Sequence, residues 1–231
     1  MTRYDAPASF DRIARLYRWM EYLSLGKSLE RCRNHFLPQL THCRSALVLG
    51  DGDGRFLACL LAINPALHAD AVDTSAAMLL LLTNRAAVVT ADSDMRLHTH
   101  QTSALTFTPD HPCDLIVTHF FLDCLAQSDL DALAHRLAQH ATPHALWLVS
   151  DFRIPNGPMH WPARAMVRSL YLAFHLLTGL RTSALPNHVA SLTAAGFRRK
   201  NHRLSLAGLL ITELWEHTSP EQMLSYNMGS L

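Results

Sequence analysis

The stretch VLGDGDGRF, Val48 to Phe56, sets Gly50, Asp51, Gly52, Asp53 and Gly54 in succession behind an apolar run. A glycine-rich turn after a strand lets a ligand lie against the backbone, because no Cβ intervenes. Dinucleotide sites use the spacing GxGxxG, and here Arg55 stands where the third glycine belongs. Asp51 and Asp53 also put negative charge where a pyrophosphate carries its own, which costs free energy at short range. A ligand without phosphates and with cationic groups removes the conflict. S-adenosylmethionine, with its ammonium and sulfonium, has that character.

More polar residues follow other apolar runs. Asp73 and Thr74 end the run DAVDT, and the Asp73 carboxylate can accept both ribose hydroxyls. Ser75 can cap the helix that follows, which brings Met78 toward an adenine face or into the core. Ser103 and Ala104 follow the next run. Thr118, His119 and Phe120 close CDLIVTHF, and a helical turn there would put His119 and Asp123 on one face as a base and its orienting carboxylate. Packing of His119 beside the cofactor, with Asp123 as a cap, is the simpler alternative. Asp151 and Arg153 follow ALWLVS, where Arg153 can hold an anionic or carbonyl group of an acceptor. An internal Asp151–Arg153 ion pair is the competing reading.

The elements that must hold these residues alternate. Strands are expected at 46–49, 68–72, 97–100, 114–118 and 145–149, with helices at 56–63, 76–85 and 129–140 between them. Helices are expected earlier, over Phe10 to Met20 and Ser28 to Leu37, around a break at Leu23 to Lys27. A greasy helix follows the fifth strand, and a helix at 186–195 precedes two β runs at 197–204 and 209–216 around Ala207-Gly208. Such alternation predicts a doubly wound α/β fold with a seven-stranded, mostly parallel sheet, and a crevice at the strands' C-terminal ends. The expected organisation is one domain: an N-terminal helical lid over 1–40, a cofactor core over 41–152, a cap over 153–185 and the remaining sheet over 186–217.

Bulk properties narrow the classes. The 231 residues are 49% hydrophobic and 17% charged, with a formal net charge of +1. Near-neutral charge without a basic stripe argues against nucleic acid as a partner. Five cysteines without a CxxC pair, and an N-terminus without an apolar signal region, point to reduced thiols in the cytoplasm. The fifteen histidines are scattered, and no ligand-spaced cluster supports a metal.

Taken in order, VLGDGDGRF, VDTSAAML, CDLIVTHFFLDCL and ALWLVSDFRIP resemble class I S-adenosylmethionine-dependent methyltransferases. Within these, FDRIARLYRWMEYLSLG is similar to the opening helix of the ubiquinone/menaquinone C-methyltransferase-like group. The resemblance runs from Phe10 to Glu216. It implies S-adenosylmethionine as cofactor, bound by Tyr17, the Gly50–Gly54 turn, Asp73, Thr74, Met78, Ser103, Ala104, Thr118, His119 and Phe120. Val48 departs from it, standing where the family often carries an acidic residue that supports the methionyl ammonium; that role would pass to Asp51, Asp53 or another group. Ser103 departs too, standing where the family often pairs an aspartate with adenine.

The implied activity is O- or C-methylation of a small aromatic or lipophilic acceptor, by His119, Asp123, Asp151 and Arg153. Aromatic residues at Tyr17, Trp19, Tyr22, Trp161, Tyr171 and Phe174 would furnish a lid, and Arg164 and Arg168 a peripheral membrane contact. A non-catalytic S-adenosylmethionine-binding module is the alternative. A nucleic-acid methyltransferase and a dinucleotide oxidoreductase fit less well.

Overall fold

The apolar runs assemble into one sheet of seven strands. They are β1 (Ser45–Leu49), β2 (His68–Asp73), β3 (Leu97–Gln101), β4 (Cys113–His119), β5 (Ala141–Phe152), β6 (Phe197–Ser205) and β7 (Leu210–His217). The computed structural model describes residues 26–178 and 185–218, with 170–178 as backbone only. The expected helix at Phe10 to Met20 lies outside the described residues, as do Trp19 and Tyr22.

Strand order is β3-β2-β1-β4-β5-β7-β6. The first five strands run parallel, and β7 is antiparallel to both β5 and β6. Order reverses between β1 and β4, so the crevice opens beside the Gly50–Gly54 turn.

The pleat sends alternate residues to opposite faces. On one face Ala46, Val48, Leu115, Val117, Leu146 and Leu148 meet α2 (Arg55–Ile63) and α3 (Ala76–Val89). On the other, Leu47, Leu49, Ile116, Trp147, Val149 and Trp215 meet α5 (Gln127–Gln139) and α7 (His188–Ala194). A single turn, α4 (Ser93–Arg96), leads into β3. Each fully buried large apolar side chain contributes about 1.5–3 kcal/mol. The two buried indoles keep partners: Trp147 Nε1 donates to Thr118 at 3.0 Å and Trp215 Nε1 to Glu213 at 3.3 Å.

A third cluster closes the end of β5 and β7. Leu29 and Cys32 of α1 (Gly26–Asn34), with Ala163 and Val167 of α6 (His160–Thr178), pack on Phe120, Phe152, Leu209 and Leu210. No helix among the described residues is long and apolar enough to cross a membrane.

Several bounds differ from the sequence reading. Gly26 and Lys27, expected in a break, are helical in α1, and α1 stops at Asn34. Pro38 then opens a 3-10 turn (Leu37–Leu40), where its missing N–H costs nothing. Helix α3 runs on to Val89. Strand β5 is twelve residues long: it starts at Ala141, which pairs with Cys113 of β4, and pairing with β7 carries it on to Phe152.

None of the five cysteines forms a disulfide. Burial pushes Cys32, Cys43 and Cys113 up to about 12, and raises Cys59 and Cys124 as well.

Candidate functional site

The glycine turn leaves β1 with all three glycines in the left-handed region, at φ 67°, 61° and 76° for Gly50, Gly52 and Gly54. Two of them also answer a close approach. A Cβ on Gly54 would stand 2.7 Å from the Leu82 Cα of α3, and one on Gly50 would stand 2.9 Å from Phe121 Cδ2. Gly52 faces open space, with nothing within 4 Å of its Cβ direction. The turn is therefore clamped at both ends and bare in the middle.

Its two carboxylates have structural work. Asp51 Oδ2 accepts from the Leu57 amide at 3.0 Å and so caps the first turn of α2. Asp53 Oδ2 pairs with Arg55 Nε at 3.1 Å and Arg85 Nη2 at 3.0 Å. The expectation that Asp51 or Asp53 takes over the ammonium contact thus meets carboxylates already engaged. The pairing of Arg55 and Arg85 with Asp53 also holds the turn's two arginines away from a phosphate role.

Asp73 ends β2, one strand from the turn, and its Oδ1 accepts from the Ser75 amide at 2.8 Å. No cationic side chain pairs with it among the described residues. Burial raises its pKa, and the amides of Ser75 and Thr74 offset this in part. Ser75 caps α3 by accepting from the Met78 amide at 3.3 Å, which sets Met78, half-buried, in the first turn. Ser103 Oγ accepts from the Leu105 amide at 3.2 Å, so this hydroxyl shapes the turn after β3. The Ala104 carbonyl accepts from Arg136 Nη2 at 2.6 Å. Tyr17 lies outside the described residues.

At the end of β4 the chain turns sharply. Phe120 adopts φ 52°, a conformation that strains a bulky residue, and its amide donates to the Ser150 carbonyl at 2.6 Å. The Phe120 ring lies 5.1 Å from that of Phe152, with the Arg33 guanidinium 5.1 Å from its centroid. Thr118 is fully buried beneath Trp147.

The turn separates His119 from Asp123. His119 packs edge-on against Phe56 of α2, with centroids 4.4 Å apart, and neither ring nitrogen has a hydrogen-bond partner among the described residues. Burial, aided by Arg33, lowers its pKa well below the usual histidine value and keeps the ring neutral. Asp123 sits in a 3-10 turn (Leu122–Cys124), accepts from Cys124 Sγ at 3.4 Å, and lines a cavity over β5 and β7. The expected histidine–carboxylate pair is therefore not assembled, because the segment is not a helix that aligns residues four apart.

The cavity measures about 290 Å³. Asp123, Asp151, Arg153, His188, Arg199 and Glu213 line it together with apolar residues. Asp151 and Arg153 form no ion pair, so the competing reading of an internal bridge does not hold. Asp151 is 2% exposed, and neither of its oxygens has a hydrogen-bond partner among the described residues. Burial first, and then the facing Asp123, push it well above the ordinary aspartate value; the nearby amides of Phe121 and Asp123 pull the other way without good hydrogen-bond geometry. Burial raises Asp123 to about 6.

Glu213 was not singled out in the sequence, and neither were its partners. It is fully buried in β7, with His188 Nε2 at 2.6 Å and Arg199 Nη1 at 2.7 Å. Burial alone would raise it, but these two partners outweigh burial and hold it below the usual glutamate value. The available signal was a glutamate on the inward side of an alternating run, between Ile211 and Trp215.

No protein-family model matches the chain, and no curated protein is similar to it in sequence. Solved structures share its fold. One is the N-methyltransferase NodS from Bradyrhizobium japonicum WM9 in complex with S-adenosyl-l-homocysteine, with TM-score 0.62 and 14% identity over 83% of this chain and 88% of that one. Another is an O-methyltransferase family protein from Burkholderia thailandensis, with TM-score 0.63 and 16% identity over 94% and 76%. A third is an O-methyltransferase family 2 protein from Planctomyces limnophilus in complex with apigenin, with TM-score 0.64 and 18% identity over 89% and 62%. The chain has the methyltransferase-like Rossmann fold.

Proposed function

We propose that this chain is an S-adenosylmethionine-dependent methyltransferase acting on a small acceptor. The observation that carries this reading is the bare Gly52 in a clamped turn, beside an Asp73 that no cation neutralises among the described residues. A cofactor laid on the turn would meet backbone at Gly52 and offer its ribose hydroxyls to Asp73. Bound there, it would supply an activated methyl group. Paired arginines and two anionic side chains at the turn disfavour a pyrophosphate in that place.

The chain's own residues would then orient the acceptor and exclude water, which accounts for much of the catalysis in such displacements. Phe121 approaches the turn, and α1 and α6 roof the strand ends over Phe120 and Phe152. His119, neutral and without a carboxylate partner, serves this roofed wall as packing. The acceptor would enter beyond β4, over β5. The finer likeness to the ubiquinone/menaquinone group and the lipophilic acceptor rest on the sequence motifs. Five cysteines without a disulfide support a cytoplasmic, reducing setting.

The unassembled histidine–carboxylate pair also favours a second reading, a cofactor-binding module without turnover. Calorimetric titration with S-adenosylmethionine, S-adenosylhomocysteine and NAD tests the proposal, with Asp73→Ala alongside. Selective binding of the first two, weakened in the variant, is expected. Absence of binding by a folded protein refutes it. Binding without turnover on a broad acceptor panel supports the second reading.

A further inference from the structure

The cavity over β5 and β7 lies two strands along the sheet edge from the glycine turn, about 10 Å by strand spacing. A volume of about 290 Å³ sits at the small end of ligand pockets. Its charges are unevenly matched. Glu213 is answered by His188 and Arg199 within 2.7 Å. Arg153 forms no ion pair among the described residues and lies beside the turn at Gly208, 3.4 Å from the Cβ direction of that glycine. Among the described residues Asp151 has no counter-ion within ion-pair distance, and the nearby amides of Phe121 and Asp123 do not reach either oxygen with good hydrogen-bond geometry. A carboxyl so deeply buried and so unserved is costly unless a ligand completes it.

We propose that this cavity seats a protonated amine with Asp151 as its counter-ion, and that the acceptor of the proposed methyl transfer is an amine-bearing small molecule. The second clause rests on the methyltransferase reading; the first stands on the cavity alone. An ammonium donates up to three hydrogen bonds and carries one positive charge, which suits an unserved carboxylate with a second carboxyl, Asp123, on the same wall. A metal ion suits it less: among the described residues, no group of three or more His, Cys, Asp or Glu is placed to hold one. The raised proton affinity of both aspartates agrees, since a cation relieves the penalty that holds their protons on.

The test is calorimetry on the full chain at neutral pH. The probes are 2-phenylethylamine and its uncharged counterpart 2-phenylethanol, with S-adenosylhomocysteine titrated into the same preparations. The amine is expected to bind roughly tenfold tighter than the alcohol, the difference between a charge-assisted and a neutral hydrogen bond. Asp151→Asn is expected to abolish that preference and leave the alcohol unchanged. Equal affinities in the unmodified protein, or no measurable heat from the amine, overturn the proposal without reliance on any variant. Binding of S-adenosylhomocysteine without the amine sinks this inference alone. Amine binding without S-adenosylhomocysteine sinks the methyltransferase reading and leaves the amine seat standing.

Discussion

Gly54 and Gly52 share nearly the same backbone conformation, at φ 76° and 61°, but not the same surroundings. An alanine at either position adopts a left-handed conformation that costs about 1 kcal/mol. At Gly52 the new methyl meets nothing, so the cost stops there. At Gly54 it stands 2.7 Å from the Leu82 Cα, and backbone cannot yield as a flexible side chain can. Helix α3 must move, which adds about 2 kcal/mol of overpacking. Gly54→Ala is therefore expected to lose about 3 kcal/mol, or ~6–12 °C in Tm for a chain of this size, and Gly52→Ala about a third of that. Thermal melts by circular dichroism read both. The cofactor readout reverses the order for Gly52→Ala: little stability is lost, yet its methyl stands where the ligand would touch backbone. Its S-adenosylhomocysteine affinity is expected to fall by at least about tenfold, a loss of about 1.4 kcal/mol. Equal melting losses for the two variants would refute the packing argument. Undiminished ligand affinity in Gly52→Ala would refute the placement of the ligand.

His119→Phe is expected to keep the fold and to leave Tm unchanged or raise it slightly, because it removes two unserved ring nitrogens worth about 1 kcal/mol or more; loss of all turnover with cofactor affinity intact would restore a base role. Asp123→Asn is expected to stabilise at neutral pH and to leave stability unchanged in acid. The native carboxyl, raised from 3.8 to about 6, binds more protons than the unfolded one in that window, so stability falls as pH rises through it. The span is worth at most ~3 kcal/mol, read as a pH-dependent gap between the two proteins' urea midpoints. Arg199→Met is expected to shift acid unfolding to higher pH. Glu213 is held below the usual glutamate value, so its contribution is present above that value and fades as pH falls through the lowered one. Removing one of its two cations brings the fading on sooner, followed by circular dichroism in pH steps.

Much of the sheet was legible because apolar runs buried on both faces are bounded by polar turns. The expected 68–72 and 114–118 lie within β2 and β4, and GxGxG marks the end of β1. The C-terminal end of β5 was not legible, because its last residues are strand only through pairing with β7, some sixty positions later. The His119–Asp123 relation was misread for a local reason. Phe120 adopts a conformation that spacing rules do not foresee, and it turns one residue toward α2 and the other toward β7. Glu213 needed partners fourteen and twenty-five residues away, which no local pattern brings together.

The buried thiols give the molecule a set of internal clocks. A thiol held near 12 carries almost no thiolate at neutral pH, so Cys32, Cys43 and Cys113 react with a disulfide reagent only when their surroundings open. They sit at opposite ends of the sheet. Cys32 lies on the buried side of α1 at the crevice, whereas Cys43 precedes β1 and Cys113 begins β4 at the far edge. Labelling of Cys32 times the lifting of the roof, and labelling of Cys43 and Cys113 times the parting of the sheet's base. A bound ligand that fastens the roof slows the first clock and leaves the second running.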